Sequence, residues 1–341
     1  MSLELVKGCS KRLVFLIVVY LSLSGCAVVY KTTGRVLLDY TYDEAVPYVL
    51  SMEDTQMVCA VAESFAPFFF SFANVTSPPD QIAILFYMAS ATCSESQAWE
   101  HELRYLRAVK EKNVSEAQDA RIAQKRALKQ AATRQVKGYY RLVTDFGEPG
   151  NECPKFRSSD EELYYLIGLL NGVQALFNDI AAEGSADVPL SIGMKVGRAT
   201  NCLDSEQWWG LPGALRAAIW SALPNSKPDQ NIDPYELLNE SIELGLKQGV
   251  RIVQVLEAQL LLGQGETGRV KEVIRQHVEV TSRVPSNPSV ALLDAIATVQ
   301  LQAISDRLWT EATGTRTPIG GLGTFPDDKK DEELIDIDDL L

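Results

Sequence analysis

Residues 233–265 read DPYELLNESIELGLKQGVRIVQVLEAQLLLGQG and contain two predicted helices. The first begins where Asp233 precedes Pro234, because a short acidic side chain caps a helix and proline suits its first turn. Its apolar residues recur at spacings of three and four, and they are Leu237, Leu238, Ile242 and Leu246. Gly249 separates this helix from an apolar partner that runs from Val250 to Leu262. The segment therefore predicts a helical hairpin.

The next segment repeats this arrangement. Residues 267–284 predict one helix, and residues 287–309, which open with Asn287 and Pro288, predict another. The starts at Pro234 and Thr267 lie 33 residues apart, close to the tetratricopeptide period of roughly 34 residues. The pattern predicts helical-hairpin repeats of the tetratricopeptide type.

The earlier part of the chain is also helical in pattern, although less regular. Ser158 stands at capping-box spacing from Glu161, and apolar residues recur at spacings of three and four as far as Phe177. Further helices are predicted near residues 42–52, 53–73 and 79–94, and a long basic segment follows. No stretch alternates as a β-strand does. We expect one compact all-α domain over residues 41–312.

The N-terminus has the layout of a lipoprotein signal peptide. A basic region precedes the apolar run Leu13–Leu23, which ends in Leu23-Ser24-Gly25-Cys26. This tetrapeptide is typical of the lipobox, where bacteria acylate the cysteine and cleave before it. The expected parts are a signal peptide at 1–25, a lipid on Cys26 and a tether over 26–40. Ala27 favours the outer membrane over the inner one, and the alternative is a chance cysteine after an ordinary secretory signal.

Four cysteines remain in the body of the mature chain: Cys59, Cys93, Cys153 and Cys202. An oxidising compartment permits three full pairings of four cysteines. We favour Cys59 with Cys93 and Cys153 with Cys202, because each pair joins segments expected to be neighbours in a helical array. None has the Cys-x-x-Cys spacing of a zinc site, so no metal site is expected.

The charge distribution argues against nucleic-acid binding. The formal net charge is -13, whereas a general nucleic-acid binder needs a basic surface. Residues 104–141 are locally basic, and this segment is either the solvated face of a long helix or a surface for anionic headgroups or an acidic partner. Residues 313–341 change to a glycine-rich and then acidic tail, for which we expect disorder. The tail either solubilises the protein or docks a partner through its isolated Ile and Leu residues.

The sequence contains no pattern typical of an enzyme. His101 and His277 are the two histidines, and we expect both at the surface. There is no nucleophile elbow, Walker loop, dinucleotide fingerprint or His-Glu-x-x-His motif. We expect no catalytic residue and no cofactor.

Aromatic residues are the candidates for ligand binding. Core packing explains most such residues, but aromatic side chains inside a helical shell also line apolar cavities. The candidates are Phe69, Tyr164, Tyr165, Trp208, Trp209 and Trp220.

In layout the chain resembles the TatT family, the T components of TRAP transporters associated with tetratricopeptide proteins. The resemblance covers roughly residues 40–312. It rests on DEAVPYVL at 43–50, LYYLIG at 163–168, RATNCLD at 198–204, WWGLPGAL at 208–215, and the helix pair after Pro234.

The resemblance implies a periplasmic lipoprotein with a cavity or pore through each subunit, assembled as a homotrimer. Such a protein would pass a small hydrophobic or amphipathic ligand to a TRAP-type solute-binding P component. The alternative is a tetratricopeptide-like lipoprotein that serves as a scaffold for protein–protein interactions in envelope assembly.

Overall fold

The computed structural model describes residues 28–74 and 79–328, and within these ranges the protein is all-α with no β-strand. The predicted signal peptide and the lipidation site Cys26 lie outside the described residues. Eleven helices occupy the described ranges. They are α1 (28–50), α2 (Thr55–Ser71), α3 (Asp80–Lys110), α4 (Val114–Phe146), α5 (Ser159–Ala181), α6 (Ser191–Ala199), α7 (Leu211–Ala222), α8 (Pro234–Lys247), α9 (Ile252–Gly263), α10 (Thr267–Arg283) and α11 (Ala291–Thr313).

Helix α1 includes most of the segment that we expected to be a tether. Residues 28–40 are α-helical, Thr41–Ala45 form a π-helical turn, and Val46–Leu50 resume the α-helix. Leu38 is buried in a small apolar cluster with Phe69. The predicted boundary between tether and body at residue 40 therefore falls inside one helix, because apolar contacts of this segment continue into the body.

Helices α3 and α4 form the longest hairpin in the described structure. The helix predicted to end at Ser94 continues to Lys110, since neither proline nor glycine interrupts the chain between these residues. The turn ends at Asn113, whose side chain accepts a hydrogen bond from the backbone N–H of Glu116 at 3.2 Å. The basic segment at 104–141 is therefore divided between two antiparallel helices.

Several cations of this basic segment pair with carboxylates of the same chain. Arg104 pairs with Glu116 and Asp119, and the other pairs are Lys125–Glu183, Arg134–Glu63 and Arg141–Asp80. These pairs connect α4 with α2, α3 and the end of α5. The pairing indicates a structural role for four of the eleven cations in residues 104–141.

The core is centred where α5 packs closely against α4. A Cβ on Gly168 would lie 2.3 Å from Leu142 Cδ1, and a Cβ on Gly172 would lie 2.8 Å from the Tyr139 ring. Asn171 lies between these glycines and is fully buried, and its Nδ2 donates to the Ile84 carbonyl of α3 at 3.1 Å. Small residues thus let three helices meet at one point.

The second half follows the predicted hairpins closely. The Asp233 side chain caps α8 by accepting from the backbone N–H of Tyr235 at 2.9 Å. Helices α9 and α10 begin and end within two residues of the predicted limits, whereas α11 begins at Ala291, after the 3-10 turn Pro288–Val290, and ends at Thr313. The apolar sides of these helices belong to the main core.

Two disulfides connect the pairs that the sequence favours. Cys59 of α2 is bonded to Cys93 of α3, and Cys153 is bonded to Cys202. The first ties α2 to the long hairpin. The second joins the loop after α4 to the turn after α6.

His277 is not at the surface, so that expectation was wrong. Its side chain is 1% exposed, with Nδ1 2.8 Å from Gln254 Oε1 and Nε2 3.0 Å from Thr298 Oγ1. Burial lowers the pKa of His277 to about 4. Polar partners from α9 and α11 made this burial possible, and helical spacing alone does not reveal them. His101 is partly exposed on α3.

The first part of the C-terminal segment, residues 314–328, differs from the expected disorder. Residues 314–328 pack against the body, whereas residues 329–341 lie outside the described residues. Phe325 is buried between Lys271 and Arg275 of α10, and Trp309 Nε1 donates to the Thr324 carbonyl at 2.8 Å. One aromatic side chain and its ionic neighbours hold a segment whose composition suggested disorder.

We predict that protein produced in an oxidising compartment has no free thiol at Cys59, Cys93, Cys153 or Cys202 before reduction. Replacing the second pair, by Cys153→Ser with Cys202→Ser, should lower the free energy of unfolding by about 2–4 kcal/mol, because the disulfide restricts the unfolded chain. Thiol titration and urea unfolding measure these effects. Free thiols in the untreated protein would contradict the pairing.

We also predict a pH-dependent loss of stability from His277. Its lowered pKa means that the unfolded chain binds a proton that the folded chain excludes between about pH 6.5 and pH 4. The free energy of unfolding should therefore fall by about 2 kcal/mol from pH 7 to pH 5 through this residue. His277→Gln should lack this pH-dependent loss. Both proteins are unfolded in urea at each pH, and subtracting one free energy of unfolding from the other removes the contribution of the buried carboxylates that they share. Parallel profiles would contradict the assignment.

Candidate functional site

The six aromatic candidates do not line one common cavity. Phe69 lies in the cluster between α1, α2 and α3, whereas Tyr165 packs in the main core against Phe146 and Phe156. Trp220 is partly exposed beneath the guanidinium of Arg216. Most of these residues are therefore packing residues, and among the six only Tyr164 lines a described pocket.

Trp208 and Trp209 shape the turn that begins α7. The Trp208 indole Nε1 donates to Glu162 Oε2 at 3.0 Å, which ties the turn to α5. Trp209 and Gly210 both have positive φ, 53° and 79°. A Cβ on Gly210 would lie 1.9 Å from the carbonyl oxygen of Ser241, so only glycine permits α8 to approach here. This element is structural.

A cavity of about 340 Å³ lies where α1, α5 and the turn before α11 meet. Its volume falls at the lower end of the range for small-molecule sites. Both apolar and polar side chains line it. They are Tyr42, Asp43, Val46, Pro47, Leu50, Asp160, Leu163, Tyr164 and Ser289.

The π-helical turn Thr41–Ala45 forms one wall of this cavity. A π-helical turn widens the helix locally, and such turns are frequent at functional sites. Tyr42 in this turn meets Tyr164 of α5 edge to face, with ring centroids 5.8 Å apart. Pro47 follows in the first turn of the resumed α-helix. The local distortion thus places an aromatic ring and a carboxylate, Asp43, on the same opening.

The cavity has acidic and phenolic groups and no cationic lining residue. Asp43 and Asp160 form no ion pair with any residue in the described ranges. Burial raises the pKa of Tyr42 to about 12, and burial followed by the nearby Tyr42, Asp160 and Asp43 raises that of Tyr164 further. Both phenols are therefore neutral at physiological pH.

These groups suit a small amphipathic molecule better than a metal or a reactive substrate. The rings and aliphatic side chains accommodate an apolar body, while the carboxylates accept hydrogen bonds from an amine or hydroxyl group. Within residues 28–74 and 79–328, no group of three or more His, Cys, Asp or Glu is placed to hold a metal ion.

A larger cleft of about 660 Å³ lies at the turn between α3 and α4. Its apolar lining includes Val109, Val114 and Ile122, which are also exposed to solvent, and Arg121 stacks over Tyr105 at its edge. This cleft is open and contains none of the predicted aromatic candidates.

Residues 43–50 carry part of the family resemblance, but Tyr42, Asp43 and Asp160 were not predicted from the sequence as ligand contacts. A π-helical turn changes which side chains share a face, and the sequence pattern does not reveal it. The nearest signal was the crowding of Tyr40, Tyr42 and Asp43 just before Pro47.

We predict that Tyr165→Phe leaves the stability unchanged or raises it by up to about 1 kcal/mol. The Tyr165 side chain is fully buried and its hydroxyl has no hydrogen-bond partner among the described residues. Tyr165→Ala should instead cost about 3 kcal/mol, because the ring packing is lost. Urea unfolding compares the stabilities of these variants. Tyr139→Phe serves as a second test, because the Tyr139 hydroxyl is also buried without a partner among the described residues. A clear destabilisation by Tyr165→Phe would show that the hydroxyl has a partner.

Comparison with known proteins leaves the chain without an assigned family. No family model matches it, no curated protein matches it, and no solved structure matches it.

Proposed function

We propose that this protein is a periplasmic, lipid-anchored T component of a TRAP-type transport system. In this role it binds a small amphipathic ligand in the cavity between α1 and α5 and hands it to a solute-binding P component. One observation carries the proposal. Two segments on which the sequence resemblance rests, residues 43–50 and 163–168, are far apart in the chain, yet both contribute side chains to the lining of this cavity.

The lining defines the ligand class. Val46, Leu50 and Leu163 provide apolar contact, and the Tyr42 and Tyr164 rings provide flat surfaces. The two carboxylates favour a ligand that presents a cationic or hydrogen-bond-donating end. Such a ligand can be received and released without a covalent step, so the proposed role involves no catalysis.

The proposed location agrees with the described disulfides. Two disulfides suit an oxidising compartment such as the periplasm. The lipid on Cys26 would hold the first residue of the mature chain at the outer membrane. Residues 28–50 form one helix that includes the cavity wall, and the predicted anchor Cys26 lies two residues before it in the sequence.

The second candidate is a scaffold that binds peptide segments of envelope proteins. The end of the docked segment 314–328 favours it, because the surface of α10 already holds the turn formed by residues 325–328. Phe325 lies between two cations, and the next acidic residues, Asp327 and Asp328, pair with Lys271 and Arg275. A partner with an aromatic residue followed by carboxylates would use the same chemistry.

Native mass spectrometry of purified protein distinguishes the two candidates, since it reports bound ligands and subunit number together. For transport, we predict a co-purifying small molecule on a homotrimer. Ser289→Trp places a large ring at the cavity mouth and should remove at least about nine tenths of the bound molecule. Ser282→Trp puts the same ring on the exposed side of α10 and serves as the matched control.

Each outcome bears on the assignment. Loss of the small molecule in Ser289→Trp but not in Ser282→Trp supports ligand transport. Equal occupancy in both variants places the ligand elsewhere and overturns the cavity assignment. Capture of peptides or proteins in place of a small molecule favours the scaffold, and a strictly monomeric protein contradicts the proposed homotrimer.

A further inference from the structure

Helix α2 lies at the surface with almost no charge on its exposed positions. Ten of its residues are exposed, and Glu63 is the single charged residue among them. Glu63 is paired with Arg134 of α4 at 2.5 Å. A helix that faces water usually carries several free charges on its outer side. The outer side of α2 is therefore not suited to full exposure to water.

Large apolar side chains form a continuous stripe on this helix. Met57, Val61, Phe65 and Phe68 are 52%, 39%, 49% and 51% exposed and recur at spacings of four and three. Apart from Glu63, the remaining exposed positions carry small or neutral residues such as Ala60 and Ser64. We call these four side chains the α2 stripe. It is an exposed apolar surface on one side of a single helix.

Contacts on the other side of α2 fix the helix to the body. Val58, Ala62, Ala66 and Phe69 are buried, and the Cys59–Cys93 disulfide joins α2 to α3 covalently. Thr55–Asn74 is long and apolar enough to cross a membrane by length and composition. These attachments hold α2 against the body along its length. The helix therefore does not cross a membrane, and the α2 stripe faces outward from one side of the protein.

The chain before α2 indicates what covers the α2 stripe. Helix α1 packs beside α2 through Leu38 and Phe69, and it also exposes large apolar residues. These are Val28, Val29, Tyr30, Val36 and Tyr40. Cys26, the predicted acylation site, lies two residues before the first described residue of α1. A lipid at this position would bring α1, and α2 beside it, close to the bilayer.

The size of the α2 stripe also fits a bilayer better than a second copy of the chain. A large side chain has a surface of about 200 Å². At the exposed fractions given above, the four side chains together expose on the order of 400 Å² of apolar surface. A specific protein interface buries about 800 Å² on each partner. Shallow insertion of an amphipathic helix into the lipid interface requires no such area.

We propose that the exposed face of α2 is a membrane-docking surface, on which Met57, Val61, Phe65 and Phe68 insert into the interface of a lipid bilayer. The helix lies in the plane of the membrane, with its disulfide-linked side toward the body. The docking is reversible, whereas the lipid on Cys26 provides the permanent attachment. The surface is separate from the α1–α5 cavity, so it does not depend on the proposed transport role.

The test uses the mature chain carrying Cys26→Ser, exported behind a cleavable secretory leader so that neither the acyl chains nor the signal peptide contributes. Binding is measured by flotation with phosphatidylcholine vesicles. This lipid has no net charge, so electrostatic attraction between protein and bilayer contributes little. We expect this protein to float with the vesicles. Phe65→Ser combined with Phe68→Ser should reduce the vesicle-bound to free ratio at least about tenfold, because two large apolar contacts are lost.

Two further variants separate docking from folding defects. Ala60→Glu with Ser64→Glu changes two small exposed residues, and it should reduce binding to a similar extent because it places charges at the lipid interface. Ile180→Ser with Leu190→Ser removes two apolar side chains that are 63% and 68% exposed elsewhere, and it should bind like the parent. Circular dichroism verifies that every variant is folded.

Three results would overturn the proposal. One is the absence of vesicle binding by the Cys26→Ser chain. Another is equal binding by the parent and by both α2 variants. The third is an oligomer in lipid-free solution that dissociates when Phe65 and Phe68 are replaced, since the face would then be a contact between subunits.

Discussion

Two glycines of α5 bring this helix into close contact with α4, and the contact determines where the neighbouring helices lie. Gly168 and Gly172 have no side chain at the contact, so Leu142 and Tyr139 of α4 occupy that space. A methyl group at either glycine would force the helices apart. Helix α5 would then no longer reach the α3 backbone through Asn171, and its Tyr164 would no longer meet α1. The cavity thus depends on packing some distance from it.

Polar groups in the same region limit how these helices can slide. Glu95 of α3 is buried and accepts hydrogen bonds from Gln135 Nε2 of α4 at 2.9 Å and from Asn178 Nδ2 of α5 at 2.7 Å. Burial raises the pKa of Glu95, which the two donors partly oppose. A slip of one turn would leave a buried carboxyl without partners, at a cost of several kcal/mol. Glycine contacts set the distance between the helices, and this network sets their register.

The sequence predicted the helical class and the later hairpins because their signals are local. Caps such as Asp233, prolines and glycines at helix ends, and apolar spacing of three and four all act within a few residues. The extension of α3 past Ser94 was missed because its apolar pattern weakens while the helix continues. The burial of His277 and the docking of Phe325 depend on partners distant in sequence. For the same reason Tyr164 was nominated with five aromatic residues that line neither described pocket, and its neighbours Tyr42 and Asp160 were not nominated.

The attachment of α2 has a kinetic consequence. Most amphipathic helices that bind membranes are unfolded in water and must order their backbone as they bind, at an entropic cost of about 1–2 kcal/mol per residue. Here the Cys59–Cys93 disulfide and the Glu63–Arg134 pair hold the helix formed in advance. Adsorption would therefore require no folding step, and its rate would be set by encounter and orientation alone. The same rigidity keeps the apolar side chains exposed to water whenever the protein is away from lipid. At high concentration these exposed side chains would promote self-association.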